Sequence, residues 1–225
     1  MQRFISGRIE YHTRGESTGR ERFEMFARAD GGRTLRALCE MRDVDLTRDV
    51  SMNLDTRSRP LDAFVRLVQR GRVRGSTLFT VHPHELVCEG KLADHGHVHQ
   101  RHVLDAPLDY LGLHPLVGDA LVTLVRGCDR PGETHCVAGY TNSSSPDGNE
   151  GLLAVRSNIA VTFIGHERRS VPAGEFEAAH HLLRWRPEWP EAHIWTYGPQ
   201  AIFLELTWAL NDSRYVLTTL ETEEA

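Results

Sequence analysis

The stretch TVHPHELVCEGKLADHGHVHQRHVL, residues 80–104, sets His82, His84, His95, His97, His99 and His102 within 21 residues. Side chains of an extended chain alternate between its two faces. If HGHVH is a strand, His95, His97 and His99 share one face, and His82 and His84 share a face of the strand before it. A turn at Glu89-Gly90 would pair the two strands and let five imidazoles approach one another. Two chemistries suit that arrangement. Histidines with a pKa near neutrality carry protons to and from an organic substrate, which makes His82, His84, His97 and His99 candidate general acids and bases. Neutral imidazoles converging from adjacent strands also bind zinc, iron, copper or nickel, with His95, His97 and His99 as ligands and Glu85 or Asp94 as a carboxylate. Against both stands the plain alternative that HxH pairs on an exposed strand are solvated polar residues, since a histidine-rich tract alone is only a compositional hint of metal.

Other residues could complete a site. Arg48 interrupts an apolar strand face between Leu46 and Val50, so its fork of donors could anchor a carboxylate or phenolate inside a cavity. The rule that buried charges are paired favours instead an ion pair with Asp49 or Glu40. His12 and Tyr140 could join a site by the same logic. Trp195, Tyr197 and Trp208 belong to an aromatic-rich last third that also holds Trp185 and Trp189. Such a wall would suit a planar aromatic ligand, although core packing is the competing role for large aromatics.

Strands must position these groups. Ile9 and Tyr11 share a face opposite Arg8, Glu10 and His12, and Phe23, Met25 and Ala27 alternate with Arg22, Glu24 and Phe26. Gly31-Gly32 supplies a hairpin turn. Val44, Leu46, Val50, Met52 and Leu54 then alternate with Asp45, Thr47, Asp49, Ser51 and Asn53, the pattern of a meander with one apolar face. Residues 61–70 fit a helix or a strand. LDYLGLHPLVGDALVTLVRG, residues 108–127, is the best helix candidate, ending at Gly127. Residues 141–151, TNSSSPDGNEG, read as a polar, flexible loop. Four more strand-like runs follow, and the final ETEEA reads as a frayed acidic end.

Composition narrows the classes. The 225 residues suit one domain, 1–225. A net charge of −5, with the 26 basic residues dispersed, gives no nucleic-acid footprint. Lys91 is the only lysine, which suggests a high-GC bacterial genome. The N-terminus shows no apolar run before a small-residue cleavage site, and no 18-residue apolar run occurs, so a cytoplasmic protein without membrane partners is expected. Cys39, Cys88, Cys128 and Cys136 form no CxxC pair, which argues for buried free thiols. Phosphate-loop, dinucleotide, GxSxG and HExxH motifs are absent.

The C-terminal third, SVPAGEFEAAHHLLRW followed by HIWTYGPQAIFLELTW and RYVLTTLE, resembles certain bacterial domains of unknown function over Ser170 to Glu221. Those domains look like the half-barrel of bacterial lipoprotein carriers and of the violacein-pathway enzyme that rearranges an indole intermediate without a cofactor. The resemblance implies a mainly β fold, a long curved antiparallel sheet forming a half-barrel or open barrel round one or two helices. It transfers no active-site residue. The functional expectation is a cofactor-independent lyase or isomerase using histidine acid–base chemistry on a small, aromatic molecule. The alternatives are a carrier of an apolar small molecule and a metal-dependent enzyme. No organic cofactor is expected, a metal ion stays open, and a homodimer is compatible with the sequence.

Overall fold

A computed structural model describes residues 3–146, 148 and 151–224. Its first half is a meander of eight strands: β1 Arg3–Thr13, β2 Glu16–Ala27, β3 Arg33–Met41, β4 Leu46–Leu54, β5 Pro60–Gln69, β6 Arg72–His82, β7 Glu85–Leu92 and β8 Gly96–Val103. After an internal segment come β9 Leu111–Gly112, α1 Leu116–Asp119, α2 Val122–Arg126 and β10 Thr134–Thr141. The chain closes with β11 Val155–Val171, β12 Gly174–Arg184, β13 Ala192–Tyr197, β14 Ile202–Trp208 and β15 Ser213–Glu224. All fifteen strands form one sheet, ordered β8 to β1, then β15 back to β9, antiparallel except for the short β9–β10 pair.

Sequence patterning explains most of this. Tight hairpins form where two successive residues take positive φ, as at Arg14-Gly15 and Arg70-Gly71, the conformation that matches the twist of the flanking strands. On β4 the alternation is complete, with Leu46, Arg48, Val50, Met52 and Leu54 buried and the residues between them half-buried. The ambiguous residues 61–70 fall in β5 up to Gln69, where Ala63, Val65 and Leu67 turn inward. The acidic end is not frayed up to Glu224, because β15 pairs with β1 along its length as far as Arg3 opposite Glu224; Ala225 lies outside the described residues.

The sheet curves until its apolar face wraps an internal plug, the segment from Leu104 to Arg126, whose Leu108, Leu113, Val117, Ala120 and Val122 are buried against it. No hydrogen-bonded ladder joins β8 to β9, so the curl is an open barrel. The expected helix over 108–127 is two short helices. Pro115 lacks the N–H a helix interior needs, His114 before it takes φ 71, and Leu111–Gly112 is drawn into a strand beside Tyr140–Thr141. The helical part ends at Gly127, as expected. Among the described residues no helix is long and apolar enough to cross a membrane.

Candidate functional site

Curling the sheet round a plug leaves a cavity of about 560 Å³. Its polar lining includes Arg48 on β4, Tyr110, His114 and Asp119 on the plug, and Thr141 and Ser143 at the start of the polar loop, with the exposed Asp43, Arg156 and Arg186 also contributing. Its apolar lining includes Met41, Leu206 and Trp208, with Trp185 and Trp189 from the loop between β12 and β13. The three indoles pack together: Trp208 lies 5.0 Å from Trp185 and 5.5 Å from Trp189, ring centre to ring centre, and its Nε1 donates to the Pro190 carbonyl at 2.8 Å. The Arg186 guanidinium lies over the Trp189 ring at 4.8 Å.

Arg48 is 2% exposed. Its Nη2 donates to the Gly148 carbonyl, and its buried Nε has no hydrogen-bond partner among the described residues. The ion pair expected from the rule of paired charges does not form. Glu40 is held by Arg20 instead, at 2.6 Å, and Asp49 follows Arg48 on the strand and so points to the opposite face. The carboxylate nearest in electrostatic effect is Asp119, which is engaged elsewhere: Tyr110 Oη donates to it at 3.1 Å, as does the His114 N–H. Burial pushes the Asp119 carboxyl up to about 6, against the pull of the Tyr110 hydrogen bond and the Arg48 charge.

Beneath the cavity wall sits a second buried acid. Glu21 is inaccessible, and its carboxylate accepts the N–H groups of Leu116 and Val117 at 2.7 and 3.1 Å and the hydroxyl of Tyr11 at 2.8 Å. These are N–H groups of the first turn of α1, which have no intrahelical acceptor. Glu21 thereby ties the plug to β2. Burial pushes its pKa up to about 7, opposed by those three hydrogen bonds.

The histidine run lies elsewhere. The chain turns at Pro83-His84, so His82 pairs with Glu85, while Gly90 sits inside β7 opposite Thr77. A Cβ at Gly90 would come within 2.1 Å of the Ser76 carbonyl oxygen, so the glycine serves close strand approach rather than a turn. His97 stands opposite Lys91 and His99 opposite Glu89, with His99 Nδ1 2.7 Å from Glu89 Oε1. His82, His84, His95, His97 and His99 are all exposed and none lines the cavity. The expected convergence of five imidazoles is thereby corrected. The inward side chains of β8 are Val98, Gln100 and His102, and His102 packs on Tyr140 with ring centres 5.0 Å apart. Among the described residues no three His, Cys, Asp or Glu side chains are grouped to hold a metal ion.

Of the expected substrate-binding residues, Arg48 and Trp208 line the cavity. His12 is half-buried on the face opposite Tyr11 and Thr13, which do line it. Tyr140 is buried outside the lining, its hydroxyl accepting from Arg156 Nε at 3.2 Å. Trp195 is on the outer face, stacked on His180 at 4.5 Å beneath the Arg169 guanidinium at 3.8 Å. Tyr197 is exposed beside Phe176. Glu21, Tyr110, His114 and Asp119 had not been singled out. For Glu21 a signal existed, since period-two alternation places it on the same face as Phe23 and Met25.

No protein-family model matches the sequence, and no curated protein is significantly similar to it. Among solved structures, a β-barrel-like protein of the domain of unknown function DUF1849 from Brucella abortus is similar over 99% of this chain and 98% of its own, with 10% identity and a TM-score of 0.60. That likeness shows a shared β-barrel-like fold. A DUF1089-family protein from Pseudomonas aeruginosa aligns over 90% of both chains at 10% identity, with a TM-score of 0.46.

Proposed function

We propose that this chain binds a small organic molecule with a planar, apolar body in the cavity inside its open barrel. The observation that carries the reading is the lining itself, in which Trp208, packed against both Trp185 and Trp189, and aliphatic side chains share one cavity with oriented polar groups. Ligand sites have this character: mostly apolar walls, with few polar groups that fix orientation. Binding of this kind calls for no cofactor, no nucleic acid and no membrane. The neutral fluorophore N-phenylnaphthylamine tests it. We expect saturable enhancement of its emission at one equivalent per chain, and a roughly tenfold weaker affinity in Trp189→Ala, about the worth of one aromatic contact. A non-saturating signal, or one indifferent to Trp189, would remove the reading.

Catalysis is the second reading, favoured by Asp119. A carboxyl with a pKa near 6, lining the cavity and hydrogen-bonded to Tyr110, suits proton transfer to or from a bound ligand. It replaces the expected histidines as acid and base for lyase or isomerase chemistry. A cavity ligand with an acidic C–H should exchange that hydrogen with deuterated solvent, and Asp119→Asn should slow the exchange at least a hundredfold. Exchange at equal rates in both proteins would leave binding alone.

A further inference from the structure

We propose that Arg48 makes the polar part of the cavity a monocarboxylate subsite, so that the ligand is an anionic molecule with an aromatic body; this rests on the cavity-binding reading above. A guanidinium withdrawn from water is costly unless a partner offsets the loss of hydration. Arg48 is 2% exposed and, among the described residues, has no carboxylate within ion-pairing distance. Among the described residues, the acids named above are committed elsewhere. Glu40 pairs with Arg20, Glu21 is saturated by Leu116, Val117 and Tyr11, and Asp119 receives Tyr110 and the His114 N–H.

The guanidinium is also oriented. One nitrogen is tied to the Gly148 carbonyl, while the buried Nε has no partner among the described residues and keeps a donor in reserve. A planar carboxylate is the complement to such a fork, accepting two parallel hydrogen bonds. Charge favours a monoanion over a phosphate dianion: Arg48 is the buried guanidinium of the lining, Arg156 and Arg186 are exposed and engaged by Tyr140 and Glu188, and Asp119 lines the same space. Trp185, Trp189 and Trp208 in that lining supply flat apolar surface for the ligand's body. Strand geometry makes the placement firm: Arg48 is the inward residue between Leu46 and Val50, and a one-residue slip would turn all three outward.

Naphthoate and naphthamide share a body and differ at the head group, so they isolate the subsite. Each is titrated calorimetrically into the full chain and used to displace N-phenylnaphthylamine. We expect naphthoate to bind roughly tenfold or more tightly than naphthamide, because a buried charged donor discriminates strongly between an anion and its neutral analogue. Arg48→Met, which keeps the length and removes the charge, should abolish that preference, so that naphthoate and naphthamide bind alike. Arg48→Lys keeps the charge without the fork and should retain only part of the preference. Equal affinities in the unmodified chain, or a preference that survives Arg48→Met, would overturn the carboxylate subsite. Failure of the neutral fluorophore with naphthoate still bound would instead overturn the apolar-cavity reading and leave the subsite standing.

Discussion

Glu21→Ala lowers the melting temperature of this protein by roughly 6–12 °C, the expected consequence of losing about 3 kcal/mol in a chain of this size. Two effects compete. Removing an acid buried at 0% exposure relieves its desolvation, and well-packed apolar replacements of buried charges are sometimes stabilising. Here the losses win, because three donors are stranded at once: the N–H groups of Leu116 and Val117 and the hydroxyl of Tyr11. Each buried donor left without an acceptor costs about 1–3 kcal/mol. Thermal melts followed by circular dichroism decide the matter, and a fall below about 2 °C would mean that the plug is not held by this carboxylate.

Stability should fall as pH rises from about 4 to about 7, the reverse of ordinary acid denaturation. A carboxyl whose folded pKa lies above its unfolded value binds a proton more tightly in the folded state, so folding loses stability as pH climbs between the two values. For Glu21 that window runs from 4.5 to about 7 and is worth about 3 kcal/mol. For Asp119 it runs from 3.8 to about 6 and is worth about 2 kcal/mol after allowing for its contact with the cavity. His181 acts in the opposite sense. It is buried beside Phe163, its Nε2 3.1 Å from the Gly127 carbonyl, and burial pushes its pKa down to about 4. Protonation therefore destabilises the fold below 6.5, and raising the pH from 4 recovers about 3 kcal/mol. For these three groups the balance is a net fall of about 2 kcal/mol, or roughly 4–8 °C in melting temperature between pH 4 and pH 7.5, and His102 and His180, whose pKa values burial also lowers, make the fall smaller. Glu21→Gln removes the largest falling contribution, so its melting temperature should instead rise slightly over the same range. A wild-type profile that rises with pH would contradict the assignment of Glu21 and Asp119 as buried, proton-binding acids.

How far the sequence anticipates this molecule depends on the contrast between strand faces. On β4 the alternation is unbroken except at Arg48, and the inward direction of that arginine follows from its neighbours alone. The same rule, applied to β2, places Glu21 inside with Phe23 and Met25. What β2 does not disclose is its partner, because the first turn of α1 lies 95 residues further along the chain. The histidine run illustrates the limit. Alternation rightly groups His97 with His99, but β8 is an edge strand whose inward set, Val98, Gln100 and His102, is no more apolar than its outward set. Periodicity assigns residues to faces; only apolar contrast says which face is the inner one, and β8 has little. The turn expected at Gly90 failed for a different reason, since glycine marks close backbone approach as readily as it marks a bend. Asp119 and Tyr110 escaped notice because they lie in a leucine-rich stretch that reads as a continuous helix. The flexibility expected of residues 141–151 falls partly on Asp147, Asn149 and Glu150, which lie outside the described residues; Asn142, Ser143 and Gly148 are buried.

Every strand pair in the sheet joins neighbours in the chain, apart from one: the first strand lies alongside the last. During synthesis the eight-strand meander bearing Glu21 and Arg48 leaves the ribosome whole, yet nothing can occupy its concave side in the native manner until the plug arrives. The tryptophans come later still, and the strand that seals the seam comes last of all. Until that last strand has paired, the chain is an unfinished trough with an unmatched cation in it, and the cavity comes into being only when the seam closes.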